Sequence, residues 1–119
     1  MKKTVLITGT SSGIGKATVI VLAKMGWNVI ATQRTPEKET DFKKLPNVKL
    51  YSLDVTNPKS IEQVFSQAKK EFGKIDVIVN NAGYGVDGAF EAMSDEVIEK
   101  QFDTNVFGLM RVTRESIKH

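Results

Sequence analysis

The stretch Thr4–Ala17, TVLITGTSSGIGKA, restricts what this chain can fold into more than any other. It opens with a short apolar run, Val5–Ile7, that reads as a buried strand. The turn behind it holds Gly9, Gly13 and Gly15, and a helical pattern follows over Ala17–Met25. Strand, glycine turn and helix in that order build a phosphate site. The first N–H groups of a helix have no intrahelical acceptor, and its N-terminus carries a partial positive charge, so a pyrophosphate is favoured there. Glycine suits a backbone that turns sharply or lies against a ligand, where a Cβ would clash. The spacing here is G-x-x-x-G-x-G, with Thr8 before it and Ser11 and Ser12 inside it. The common dinucleotide fingerprint is G-x-G-x-x-G.

The rest of the chain repeats the same alternation. The pattern predicts a first strand over Thr4–Thr8 and a helix over Ile14–Met25, with Ile14, Ala17, Val21 and Met25 facing the sheet. Gly26 stands where a helix ends, and a second strand follows over Asn28–Thr32. Gln33–Pro46 is polar and bounded by Pro36 and Pro46. Thr35-Pro36 can start a short helix there, but few apolar residues anchor the stretch. A third strand covers Val48–Leu53. Asn57-Pro58 is a capping side chain followed by proline, and Ile61, Val64, Phe65, Ala68 and Phe72 then recur at helical spacing up to Gly73. The fourth strand, Ile75–Val79, is nearly all apolar, as for a strand covered on both faces. Ser94 caps a last helix with Val97, Ile98, Phe102 and Val106 on one side, continuing through Leu109, Met110 and Val112.

Strands alternating with helices imply right-handed crossovers and a parallel sheet with helices on both faces. A doubly wound order, 3-2-1-4, opens a ligand crevice at the carboxyl ends of strands one and four. The glycine turn, Asp54 and the segment Asn80-Asn81-Ala82-Gly83 all fall at carboxyl ends of strands.

Composition narrows the function. The 119 residues suit one domain, and 40% hydrophobic with 26% charged is ordinary for a globular protein. The net charge of +3 is scattered rather than gathered into the basic stripe of a nucleic-acid binder. With no cysteine and one histidine, His119, thiolate metal sites, disulfides and a histidine triad are not expected, and no metal is. No apolar run is long enough to span a bilayer. Met1-Lys2-Lys3 leads straight into a strand without a cleavable apolar segment, so the expected location is cytoplasmic.

Thr-Gly-x-x-x-Gly-Ile-Gly after a strand, with Asn-Asn-Ala-Gly later, resembles the short-chain dehydrogenase/reductase family. The resemblance covers essentially all 119 residues and corresponds to the N-terminal part of that family's single domain. It implies a Rossmann-like fold, with residues 1–119 as an NAD(P)-binding domain. It also implies that Gly9, Ser11, Ser12, Gly13, Ile14 and Gly15 wrap the cofactor phosphates. In a dinucleotide fold the end of strand two separates the two cofactors. An acid there accepts from the ribose 2′-OH of NAD, whereas an arginine accommodates the 2′-phosphate of NADP. Gln33-Arg34 lacks the acid and supplies the arginine, so NADP(H) is preferred over NAD and Arg34 is its reader. The resemblance places Asp54 beside the adenine, with the Val55 N–H also on the ring. It places Asn81, Ala82 and Gly83 along the cofactor ribose. Asn105, in Asp103-Thr104-Asn105-Val106-Phe107-Gly108, matches the family's active-site asparagine, whose backbone carbonyl holds a water in a proton relay. By themselves Arg34 reads as a surface arginine, Asp54 as a turn aspartate and Asn105 as a polar-face helix residue.

The chain departs from the family in one respect. The family's serine and Tyr-x-x-x-Lys lie further on, and this chain ends first. Its tyrosines, Tyr51 and Tyr84, are followed four residues later by Val55 and Gly88. Tyrosine passes a proton to the carbonyl oxygen while nicotinamide gives hydride, and lysine lowers the tyrosine pKa. The expectation is thus an NADP(H)-dependent oxidoreductase of a carbonyl or alcohol substrate, oligomeric in the family pattern, whose 119-residue stretch at best binds cofactor and does not turn over. The alternatives are a non-catalytic nucleotide-binding or interaction fragment and a transferase binding adenosylmethionine. The second is disfavoured because the two motifs together suit a pyrophosphate.

Overall fold

Four short apolar runs become parallel strands of one sheet: β1 (Thr4–Ile7), β2 (Asn28–Gln33), β3 (Val48–Ser52) and β4 (Val77–Val79). Their order is β3-β2-β1-β4, the doubly wound, Rossmann-like order expected. This computed structural model describes residues 2–119; Met1, part of the lead into β1, lies outside the described residues. In register, Val5 lies opposite Val29 and Val77, Leu6 opposite Ile30 and Ile78, and Ile7 opposite Ala31 and Val79. The helices are α1 (Gly13–Lys24), α2 (Pro58–Phe72), α3 (Asp95–Phe102) and α4 (Leu109–Ser116). No helix among the described residues is long and apolar enough to cross a membrane.

The period-two alternation of a strand divides the core between the two faces of the sheet. Val5, Ile7, Val29 and Ala31 pack with Val19 and Ala23 of α1 and with Phe42. Leu6 and Ile30 pack with Ile61, Val64, Phe65 and Ala68 of α2 and Val112 of α4. Helix α2 follows its sequence pattern closely. The Asn57 side chain accepts from the N–H groups of Lys59 and Ser60, and Gly73 ends the helix at φ +82°.

Several expectations change. Ile14, Ala17, Val21 and Met25 do not face the sheet; Ile14, Val21 and Met25 are 80%, 55% and 66% exposed. The buried stripe of α1 is Gly15, Val19 and Ala23. Helix α1 is apolar nearly all round, so periodicity does not choose a face. The small residues do, because they let the helix lie close to the sheet. Gln33–Pro46 is better anchored than its polarity suggests. Phe42 is buried in the core on the α1 face of the sheet, and the Asn47 amide donates to the carbonyls of Ala23 and Trp27 at 2.8 and 2.7 Å. Thr35-Pro36 does start a single 3₁₀ turn, Pro36–Lys38, without a side-chain cap bond. Strand β4 is only partly covered: Val77 is exposed, while Ile78 and Val79 are half-buried against the cores on opposite faces. The face of α3 carrying Val97 and Phe102 is exposed, as is Val106, while Ile98 is half-buried. Between α3 and α4 the helix widens into a π-helical segment, Asp103–Gly108, which its hydrophobic pattern does not announce.

Candidate functional site

The carboxyl ends of the four strands surround a cleft of about 790 Å³, within the size range of small-molecule and cofactor sites. Its wall holds Gly9, Ser11, Ser12 and Ile14 from the glycine turn, Arg34 from the end of β2, and Asp54 and Val55 after β3. Asn81, Ala82 and Gly83 come from the loop after β4. Ten of the thirteen residues singled out in the sequence thus share one wall. Gly13, Gly15 and Asn105 stand just outside it.

The glycine turn is built by close approach. A Cβ on Gly15 would collide with the Gly9 carbonyl oxygen and with the Asn81 amide nitrogen, so only glycine lets α1 start this near β1. Gly13 is different. Its φ is +58° and an added Cβ would meet no protein atom within 4 Å, so within the protein its constraint is backbone conformation alone. Ser12, the residue before α1, is extended and makes no side-chain cap bond. The first N–H groups of α1 are thereby left for an anion.

Thr8 ties this turn to the loop after β4. Its buried hydroxyl oxygen accepts from the N–H groups of Asn81 and Ala82 at 3.0 and 2.9 Å. The Asn81 amide donates back to the Gly9 carbonyl at 2.9 Å. Thr10 donates from both its N–H and its hydroxyl to the Thr32 carbonyl, and the Thr32 hydroxyl donates to the Ile7 carbonyl. The turn is therefore locked to both neighbouring strands. Thr8 preceding the glycines was the available signal for this role.

Asp54 is a turn aspartate that also lines the cleft. Its Oδ1 accepts from the Thr56 N–H at 2.9 Å and the Thr56 hydroxyl at 2.7 Å. The Thr56 hydroxyl, opposed by burial and helped by the Thr56 N–H and the charges of Arg34 and Arg111, holds its carboxyl below the ordinary range. Arg111 donates from Nη1 to the carbonyls of Val55 and Asp103 at 3.2 and 3.3 Å, and it pairs with the Asp103 carboxylate. The Asp54–Val55 edge is thus braced from α4. Among the described residues Arg34 forms no ion pair, so its guanidinium is available to a ligand.

Asn105 sits in the π-helical segment. Its side-chain oxygen accepts from the Tyr84 N–H at 2.9 Å, and its amide donates to the Tyr84 carbonyl at 2.7 Å. This two-pronged clamp holds the loop that follows Gly83. The wall also includes Lys100, Asp103 and Thr104, which sequence reasoning missed. They reach the cleft only because the α3–α4 helix folds back over it, and no local pattern signals that.

A family model described as short chain dehydrogenase matches residues 3–119. An uncharacterised oxidoreductase of Schizosaccharomyces pombe is 44% identical over 115 residues, covering 96% of this chain and 38% of the relative. A 3-ketodihydrosphingosine reductase of Bacteroides thetaiotaomicron is 38% identical over 110 residues, covering 92% and 39%. The solved structure of ElxO with NADP bound superposes with a TM-score of 0.91 at 35% identity, covering 100% of this chain and 50% of that one. The chain thus spans half or less of the length of these proteins.

Proposed function

The chain belongs to the short-chain dehydrogenase family, and on that premise we propose that residues 1–119 are the cofactor-binding, N-terminal part of one domain of an oxidoreductase that uses NADP(H) on a carbonyl–alcohol pair. The observation that carries the cofactor choice is Arg34, an unpaired guanidinium on the cleft wall at the end of β2, where an NAD site would set a carboxylate. The cleft fits such a cofactor along its length. The α1 N-terminus takes the pyrophosphate, and Asn81, Ala82 and Gly83 lie along a ribose. Asp54 and the Val55 N–H face the adenine. The ElxO structure with NADP bound supports nucleotide use in this fold.

When bound, NADP(H) supplies or accepts the hydride. The residues of this chain bind and orient it. Asn105 holds the Tyr84 loop at the mouth of the cleft, and we assign its backbone carbonyl to the water of a proton relay. The 119 residues contain no Tyr-x-x-x-Lys, so none of them is assigned to proton delivery to substrate.

Calorimetric titration of NADPH and NADH into the chain tests the reading. NADPH should bind at least about tenfold tighter, the low end of what one charge-assisted phosphate contact contributes. Equal affinities would contradict it.

A further inference from the structure

Behind Arg34 lies a carboxylate that the cleft itself does not use. The Glu39 side chain is 3% exposed, a costly place for a charge unless donors satisfy it. Four donors do. The Gln33 amide donates to Oε1 at 2.6 Å. The Thr40 and Asp41 N–H groups donate to Oε2 at 3.0 and 2.9 Å, and Lys16 of α1 reaches the same oxygen at 3.3 Å. Lys16 also pairs with Asp41 at 2.7 Å. Glu39 therefore joins the end of β2, the first turns of α1 and its own loop at a single point.

Arg34 lies inside the span that this carboxylate closes. Gln33 is the residue before it, and the Gln33–Glu39 bond cross-links the two ends of the segment. We propose that Glu39 is a positioning residue for the cofactor's 2′-phosphate, a role that rests on the NADP(H) reading above. By pinning Gln33 and the loop after it, Glu39 holds the backbone from which Arg34 reaches the cleft wall. A guanidinium held in place loses less freedom when it pairs with phosphate, so pre-organisation becomes affinity. Lys16 neutralises the carboxylate and turns an acid near the β2 end into a brace instead of a 2′-OH acceptor.

The test titrates adenosine 2′,5′-bisphosphate and 5′-AMP into the full chain and into Glu39→Ala, Glu39→Gln, Arg34→Ala and the Glu39→Ala/Arg34→Ala double variant. Glu39→Ala should weaken the bisphosphate about tenfold, the scale of one charge-assisted contact, and leave 5′-AMP within about twofold, which also reports an intact nucleotide cleft. The isosteric Glu39→Gln should fall between wild type and Glu39→Ala. The double variant should lose no more than Arg34→Ala alone, because Glu39 acts through Arg34. Equal losses for both nucleotides, or additive losses in the double variant, would overturn the positioning role. If Arg34→Ala discriminates between the nucleotides and Glu39→Ala does not, only the positioning role falls. If Arg34→Ala itself does not discriminate, the NADP(H) reading falls with it.

Discussion

Gly13 and Gly15 stand two residues apart in one motif and carry different loads. Gly15 faces the Gly9 carbonyl and the Asn81 amide, so any Cβ there forces α1 away from β1. Gly13 faces open space at φ +58°. Gly15→Ala should therefore cost folding, by about 1–3 kcal/mol as an overpacked site. Gly13→Val should abolish nucleotide binding, because its branched side chain fills the space of the pyrophosphate, and should cost about 1–2 kcal/mol of left-handed backbone strain. Thermal melts paired with nucleotide titration separate the two. A folded Gly13→Val chain that still binds tightly would sink the phosphate-site assignment. The motif reveals at this scale that glycines are required but not which one guards the ligand. That distinction depends on Asn81, which approaches from the loop after β4, more than sixty residues away.

At the scale of elements, strand order and helix α2 were legible because each has one clear period and strong punctuation, such as Asn57-Pro58 and Gly73. The buried face of α1 was not legible. Two apolar stripes compete there, and contact with Gly9 decides between them. The π-helical turn around Asn105 was also hidden, since hydrophobic spacing does not encode which carbonyl an N–H chooses. Phe42 shows a third limit: one aromatic residue in a polar stretch is enough to seat a loop in the core. Carboxylates stabilise several joints and element ends, and this has a consequence for pH. Burial opposes the ionisation of Glu39, but the Asp41 N–H, Gln33 and Lys16 outweigh it and lower its pKa from the ordinary 4.5. Lys74 lowers that of Asp76, whose carboxylate also accepts from the Thr4 N–H at 2.8 Å, and His119 lowers that of Glu115. Groups whose folded pKa is depressed contribute stability above their unfolded values and lose it as pH falls through the folded ones. Lys16, raised from 10.5 chiefly by its bond to Asp41, has the opposite sign and loses its contribution as pH rises past that range. The melting temperature should therefore hold from about pH 5 to neutrality and drop below about pH 4. A melting temperature unchanged down to pH 3 would show that these ion pairs and caps do not hold the elements together.

Across the whole molecule the two sides of the sheet are unequally finished. Strand β4 pairs with β1 alone and forms an edge of the sheet, and Val77 on it is exposed. Phe102, Val106, Phe107, Leu109 and Met110 present a further exposed apolar surface along the α3–α4 helix. Open edges and large apolar patches invite a second chain. The 119-residue chain should accordingly self-associate, with light scattering across a dilution series showing a mass that rises with concentration; a monodisperse monomer at every concentration would contradict this. The cleft lies at the carboxyl ends of the strands, where the glycine turn, Arg34 and Asp54 converge, and the proposed function rests on the claim that Arg34 there reads a 2′-phosphate. Titration of NADPH and NADH into wild type and Arg34→Ala tests that claim most directly. Loss of the guanidinium should weaken NADPH about tenfold to a hundredfold, as one charge-assisted phosphate pair is worth about 1.5–3 kcal/mol, and should leave NADH nearly unchanged. Equal losses for the two cofactors would contradict it.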